Sequence, residues 1–142
     1  MFKNKFVLFV IIYLLFSINY IKADIPIILE IHNVIKNSGI IYAGIYSNEK
    51  SYKDKKPEQV IQIKPINTIV SIDLMLPDGE YVINAYQDIN GNGKLDQGIF
   101  FIPKEPVGIT NWNGKGIPGN FNLLKVIINN MTGKIIINIY KL

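Results

Sequence analysis

Asp88, Asn90, Asn92 and Asp96 place oxygen-bearing side chains at the first, third, fifth and ninth positions of one short run, with Gly93 at the sixth. Alternate residues of a curled loop aim at one centre, and a hard cation such as calcium takes six to eight oxygens at about 2.3–2.6 Å. Asp88, Asn90 and Asn92 are assigned as side-chain ligands, Lys94 as a ligand through its backbone carbonyl, and Asp96 as a ligand directly or through water. Gly93 permits the sharp turn. The run departs from an EF-hand: Ile99 stands at the twelfth position, where a bidentate Glu is needed, and no helical pattern flanks the loop. Glu105 is the candidate that returns to fill this gap, and Asn111 is a further oxygen. Two formal negative charges in the loop imply a weak site, on the order of 10⁻⁴–10⁻³ M, as in extracellular modules. The competing reading is a metal-free turn, because Asn-Gly pairs and Asp side chains stabilise turns unaided. Four oxygens in register with a glycine favour the ion.

Other chemistry finds little support. His32 is the single histidine and there is no cysteine, so an ordinary zinc site is not available. A Ser-His-Asp arrangement would rest on His32 alone, and Ser38, Ser47, Ser51 and Ser71 lie in no nucleophile turn. Asp96 and Glu105 could pair as the carboxylates of a calcium-dependent hydrolase, but both are better given to the metal, and no enzyme is expected. Phe100, Phe101, Trp112 and Phe121 offer an aromatic platform for a glycan or an envelope protein, against the simpler reading that they cover the open end of the fold. Every basic residue is Lys. Arg, the usual reader of phosphates and base edges, is missing, so a nucleic-acid partner is not expected.

The elements that must position the loop begin after an N-terminal segment of another kind. Lys3 and Lys5 precede an apolar run from Phe6 to about Ile18, and Ala23 precedes Asp24, in the layout of a secretory signal peptide over residues 1–23. An uncleaved anchor is the alternative, since the run nearly suffices to span a bilayer. Cleavage is favoured, leaving a domain over 24–142 that is exported to the periplasm or the extracellular space. Membrane contact is then expected only through the signal segment before cleavage. Lys3, Lys5 and Lys22 leave with it, so the formal charge falls from +4 to +1. Without cysteine the domain has no disulfide and needs a full hydrophobic core.

Ile27, Leu29 and Ile31 alternate with Ile28, Glu30 and His32, which predicts a first strand over Ile25–Ile35. Asn37-Ser38-Gly39 predicts a turn into a second strand, Gly39–Ser47, as an antiparallel hairpin. Asn48–Glu58 reads as a solvated polar loop, and Gln59–Lys64 as a short strand. Val70, Ile72, Leu74 and Leu76 share one face of a strand over Thr68–Leu76. Pro77-Asp78-Gly79 turns the chain into Glu80–Gln87, which runs directly into Asp88. Gln97–Asn122 carries no sustained period. Leu123–Asn129 and Lys134–Leu142 are expected as a final hairpin. About seven short strands with turn signals and no helical pattern predict an all-β fold, an antiparallel β-sandwich.

Three segments in order carry a family resemblance: Leu76-Pro77-Asp78-Gly79-Glu80-Tyr81-Val82, the run Asp88–Asp96, and Ile102-Pro103-Lys104-Glu105-Pro106-Val107-Gly108-Ile109-Thr110-Asn111. Together they resemble the secreted bacterial family filed as domain of unknown function 2141. The resemblance covers nearly all of 24–142. It implies a secreted sandwich of immunoglobulin-like or prealbumin-like type and no established activity. Gln87 stands where that family often has a histidine, and Ile99-Phe100-Phe101 stands near a position that is often glycine.

Overall fold

The computed structural model describes residues 23–142. The signal-peptide expectation lies almost wholly outside the described residues. Eight strands are present among them: β1 (Asp24–His32), β2 (Ile40–Tyr46), β3 (Gln59–Ile63), β4 (Ile69–Pro77), β5 (Gly79–Asp88), β6 (Val107–Ile109), β7 (Val126–Ile128) and β8 (Lys134–Asn138). Two short helices join them, α1 (Glu49–Lys53) and α2 (Phe121–Leu124). One sheet has the order β4-β1-β8; the other has the order β3-β2-β5-β6, with β7 also pairing β5.

The alternation expected for the first and fourth strands is present. Ile25, Ile27, Leu29 and Ile31 of β1 are buried, as are Val70, Leu74 and Leu76 of β4, with Ile72 half-buried. The two strands run antiparallel in continuous register from Asp24↔Pro77 to His32↔Ile69. The inner faces of both sheets share one core, in which Leu29, Ile31, Ile41, Ile45, Ile83 and Ile137 are fully buried. β-branched side chains fill most of it, as suits a pleated surface buried on one face. Among the described residues, this core runs from Ile25 to Ile139.

Three sequence expectations are corrected. First, the hairpin expected between the first two strands does not form: β1 and β2 lie in different sheets. The connection adopts positive φ at Asn33, Asn37 and Gly39. The fully buried Gln87 side chain holds it, accepting from Ile35 N–H at 2.9 Å and donating to the Ile35 and Ser38 carbonyls at 2.7 and 2.6 Å. Second, the final pair is not a hairpin. Its first half opens with α2, capped by Asn120; β7 then pairs with β5, while β8 crosses to the other sheet. There β8 runs parallel to β1, so the sheets are not wholly antiparallel. Third, Asn48–Glu58 is not all loop. Asn48 caps α1 by accepting from Ser51 N–H at 2.9 Å, and Glu58 secures the far end by accepting from Ser47 N–H at 2.8 Å.

The turn at Pro77-Asp78-Gly79 also carries the chain between sheets, from β4 to β5. β5 is the strand that positions the loop. Tyr81, Ile83 and Ala85 face the main core, and Val82 faces a smaller cluster with Tyr46, Phe121 and Leu124. Both faces of β5 are therefore packed, and its last residue enters the loop at a fixed height and angle. One edge of the two sheets is stitched by paired backbone bonds between Val107 and Tyr140, at 2.9 and 2.8 Å.

Candidate functional site

Asp88 ends β5 fully buried, opposite Ile40 of β2. A buried carboxylate needs donors, and the loop supplies them. Oδ1 accepts from Gly91 N–H at 2.8 Å and Asn92 N–H at 3.2 Å, and Oδ2 accepts from Gly93 N–H at 2.7 Å. The chain must curl tightly to deliver three successive N–H groups to one side chain, and Gly91 and Gly93 adopt φ of 73° and 75° to do so. The next two Asn side chains repeat the device. Asn90 Oδ1 accepts from Asn92 N–H at 3.1 Å, and Asn92 Oδ1 accepts from Lys94 N–H at 2.8 Å. Their amide nitrogens converge on Asp96, Asn90 at 2.5 Å and Asn92 at 3.0 and 3.1 Å. The structure thus brings together Asp88, Asn90, Asn92 and Asp96.

Glu105 has a different position. It is buried at the foot of the loop, where Oε1 accepts from Ile89 N–H at 2.9 Å and Oε2 from Asp96 N–H at 3.2 Å. One carboxylate therefore spans the entry and the exit of the loop. Lys104 N–H donates to Asp96 carbonyl at 2.9 Å and reinforces the exit. Asn111 is turned away, giving its amide to Lys125 carbonyl at 2.7 Å. Among the described residues, no three His, Cys, Asp or Glu side chains are grouped to hold a metal. Any cation at this loop would draw on Asn amides and backbone carbonyls as well as carboxylates. That is an all-oxygen set of the kind hard cations take.

Two tyrosines flank the loop. Tyr42 and Tyr86 stack across β2 and β5 with ring centroids 5.1 Å apart and planes 9° from parallel, and the Tyr86 hydroxyl donates to Gly93 carbonyl at 3.4 Å. Burial, then the neighbouring Tyr42, Asp88 and Glu105, push the Tyr86 hydroxyl up to about 12. The folded value lies above the unfolded value of about 10, so the stabilisation tied to the neutral phenol is complete below pH ~10 and is lost as pH rises through ~12. Alkaline titration of phenolate absorbance is expected to show a late component near pH ~12 that vanishes in Tyr86→Phe. Its persistence in that variant would assign it elsewhere.

Beyond Asp96 the chain forms a narrow ribbon. Gln97 bridges Pro103, and Gly98 N–H donates to Ile102 carbonyl at 2.7 Å. At its tip, Phe100 and Phe101 both hold φ of 60°. That left-handed conformation costs a non-glycine residue of order 1–3 kcal/mol. Both rings stand in solvent. The sequence signal for this tip was Ile99-Phe100-Phe101-Ile102, four apolar residues beside a turn, a run that soluble loops avoid unless it is used.

The remaining aromatic candidates separate. Phe121 is buried beneath α1 and takes no part in an exposed platform. Trp112 is half-buried, edge-on to Tyr140, and its indole N–H is satisfied by Lys115 carbonyl at 3.1 Å. His32 pairs with Glu30 at 3.0 Å on the outer face of the three-stranded sheet, remote in the chain from the loop. Lys134, then His32, hold the Glu30 carboxyl below its usual value. Gln87 was not singled out for its own chemistry by the sequence, yet it is the residue that ties the β1–β2 crossing to the base of the loop.

Two packed β-sheets with a side-chain-wound loop at the end of a central strand define a β-rich domain. The family model for DUF2141, an uncharacterised protein conserved in bacteria, matches residues 29–136, and the chain belongs to that family. Comparison with curated proteins and with solved structures found no match.

Proposed function

We propose that this chain is an exported β-sandwich module, of immunoglobulin-like or prealbumin-like type, that serves a structural or binding role and is pinned by a weakly held calcium ion at Asp88–Asp96. The observation that carries this reading is the convergence of the Asn90, Asn92 and Asp96 side chains above buried Asp88, with the backbone wound by its own side-chain oxygens. A carbonyl oxygen that accepts one N–H keeps a second lone pair. Asn90 and Asn92 would turn their amides so that oxygen rather than nitrogen faces the cation, with Asp88, Asp96 and the Lys94 carbonyl completing the set. The ion would supply charge neutralisation and a fixed centre for the loop. Glu105 would act from outside that set, by holding the two loop ends together.

No enzymatic role is proposed.

A ligand that binds only the folded form stabilises it by an amount set by concentration over Kd. With Kd on the order of 10⁻⁴–10⁻³ M, 10 mM calcium added to chelated protein is expected to add about 1.4–2.7 kcal/mol and raise Tm by roughly 5–10 °C. Magnesium, which demands a tighter octahedron, is expected to do less. A melting curve indifferent to calcium would remove the ion from this reading.

A further inference from the structure

Among the described residues, the ribbon tip carries large apolar side chains left exposed. Ile99, Phe100 and Phe101 are 79 %, 88 % and 81 % exposed, and Ile117, across the adjoining cleft, is 95 % exposed. Contiguous exposed apolar surface of this kind marks a contact site. The cleft beneath, of about 460 Å³, continues the apolar surface through Leu95, Ile109, Trp112 and Pro118. It offers little to a sugar, which needs polar partners around its hydroxyls, and the one indole N–H is already bonded to Lys115.

The charges around the tip decide its partner. Lys104 and Lys141 line a shallow depression together with Ile99 and Ile102. Lys94 and Lys115 sit one residue from cleft-lining Leu95 and Gly116. Of the acidic groups of this end, Asp88 and Glu105 are buried on backbone donors, and Asp96, half-exposed, is engaged by the Asn90 and Asn92 amides. Exposed aromatic and branched side chains with Lys104 and Lys141 beside them complement an anionic bilayer surface, with rings at the acyl boundary and ammonium groups at the phosphates. We infer that Ile99–Ile102 is a membrane-contact tip by which the folded domain docks on anionic phospholipid. No helix among the described residues is long and apolar enough to cross a membrane.

The inference stands apart from the calcium reading, because the backbone bonds Gly98–Ile102 and Lys104–Asp96 hold the ribbon themselves. The test is co-sedimentation of residues 24–142 with vesicles of phosphatidylcholine, with and without phosphatidylglycerol, each in calcium and in chelator. Binding to the anionic vesicles is expected, with Phe100→Ser/Phe101→Ser weakening it at least about a hundredfold. Lys104→Glu/Lys141→Glu is expected to weaken it roughly tenfold or more. Ile127→Ser, at the opposite end of β5 and also exposed, is expected to leave binding unchanged. Melting of each variant separates lost contact from lost fold. Binding in both calcium and chelator supports the tip whatever the melting curve says about calcium. Absence of vesicle binding, or binding indifferent to the Phe substitutions, overturns the inference. So does sedimentation showing that the tip instead mediates self-association.

Discussion

Gly39→Ala is expected to destabilise the domain by about 3–5 kcal/mol, the largest effect of any single methyl group near the site. A Cβ at this position would lie 1.8 Å from the Asp88 carbonyl oxygen and 2.8 Å from Ile89 Cα. Both are backbone atoms, and they belong to the residues that launch the loop, so neither can move without displacing the end of β5. Gly39 also holds φ of 61°, which adds a left-handed penalty of about 1–2 kcal/mol for alanine. The control is Gly91→Ala. Gly91 has φ of 73° but nothing within 4 Å of its Cβ position, so only the backbone penalty applies, about 1 kcal/mol. Denaturant unfolding of both variants checks the pair. Equal losses would mean that the close approach of Gly39 to Asp88 is not what fixes the loop.

Glu105→Ala is expected to cost about 3 kcal/mol and lower Tm by roughly 10 °C. Its carboxylate is buried and takes Ile89 N–H and Asp96 N–H at once, so its loss leaves both loop ends without that acceptor. Glu105→Gln is the sharper variant. One amide oxygen can still serve one N–H, but the NH₂ group would meet the other donor, so about half or more of the loss is expected to remain. Hydrogen exchange should localise the damage: amides of Gly91, Asn92 and Gly93 lose protection in the variant while those of β1 and β4 keep it. A variant as stable as the parent would show that the loop needs no clasp at its base.

The sequence by itself determined the faces of the long strands and the oxygen spacing of the loop, but not β6, which lies in the segment Gln97–Asn122 that carries no sustained period. Period-two alternation over Ile25–Ile31 and Val70–Leu76 is a local property of the chain, and the structure buries those faces. The oxygen spacing of Asp88, Asn90, Asn92 and Asp96 is likewise local: Asp88, Asn90 and Asn92 accept from N–H groups two to five residues ahead, and Asp96 accepts from the Asn90 and Asn92 amides behind it. What the sequence could not decide was pairing. The turn signals at Asn37-Ser38-Gly39 and Asn130-Met131-Thr132-Gly133 say that the chain reverses, and a reversal within one sheet looks the same as a reversal between two. Only burial of both inner faces against each other sends β2 and β8 across the gap, and Gln87, fifty residues away, seals the first crossing. Tertiary structure also gave Glu105 its place. Its spacing allowed a ligand, but the geometry at the foot of the loop makes it the clasp on Ile89 and Asp96, because its buried carboxylate accepts from both N–H groups.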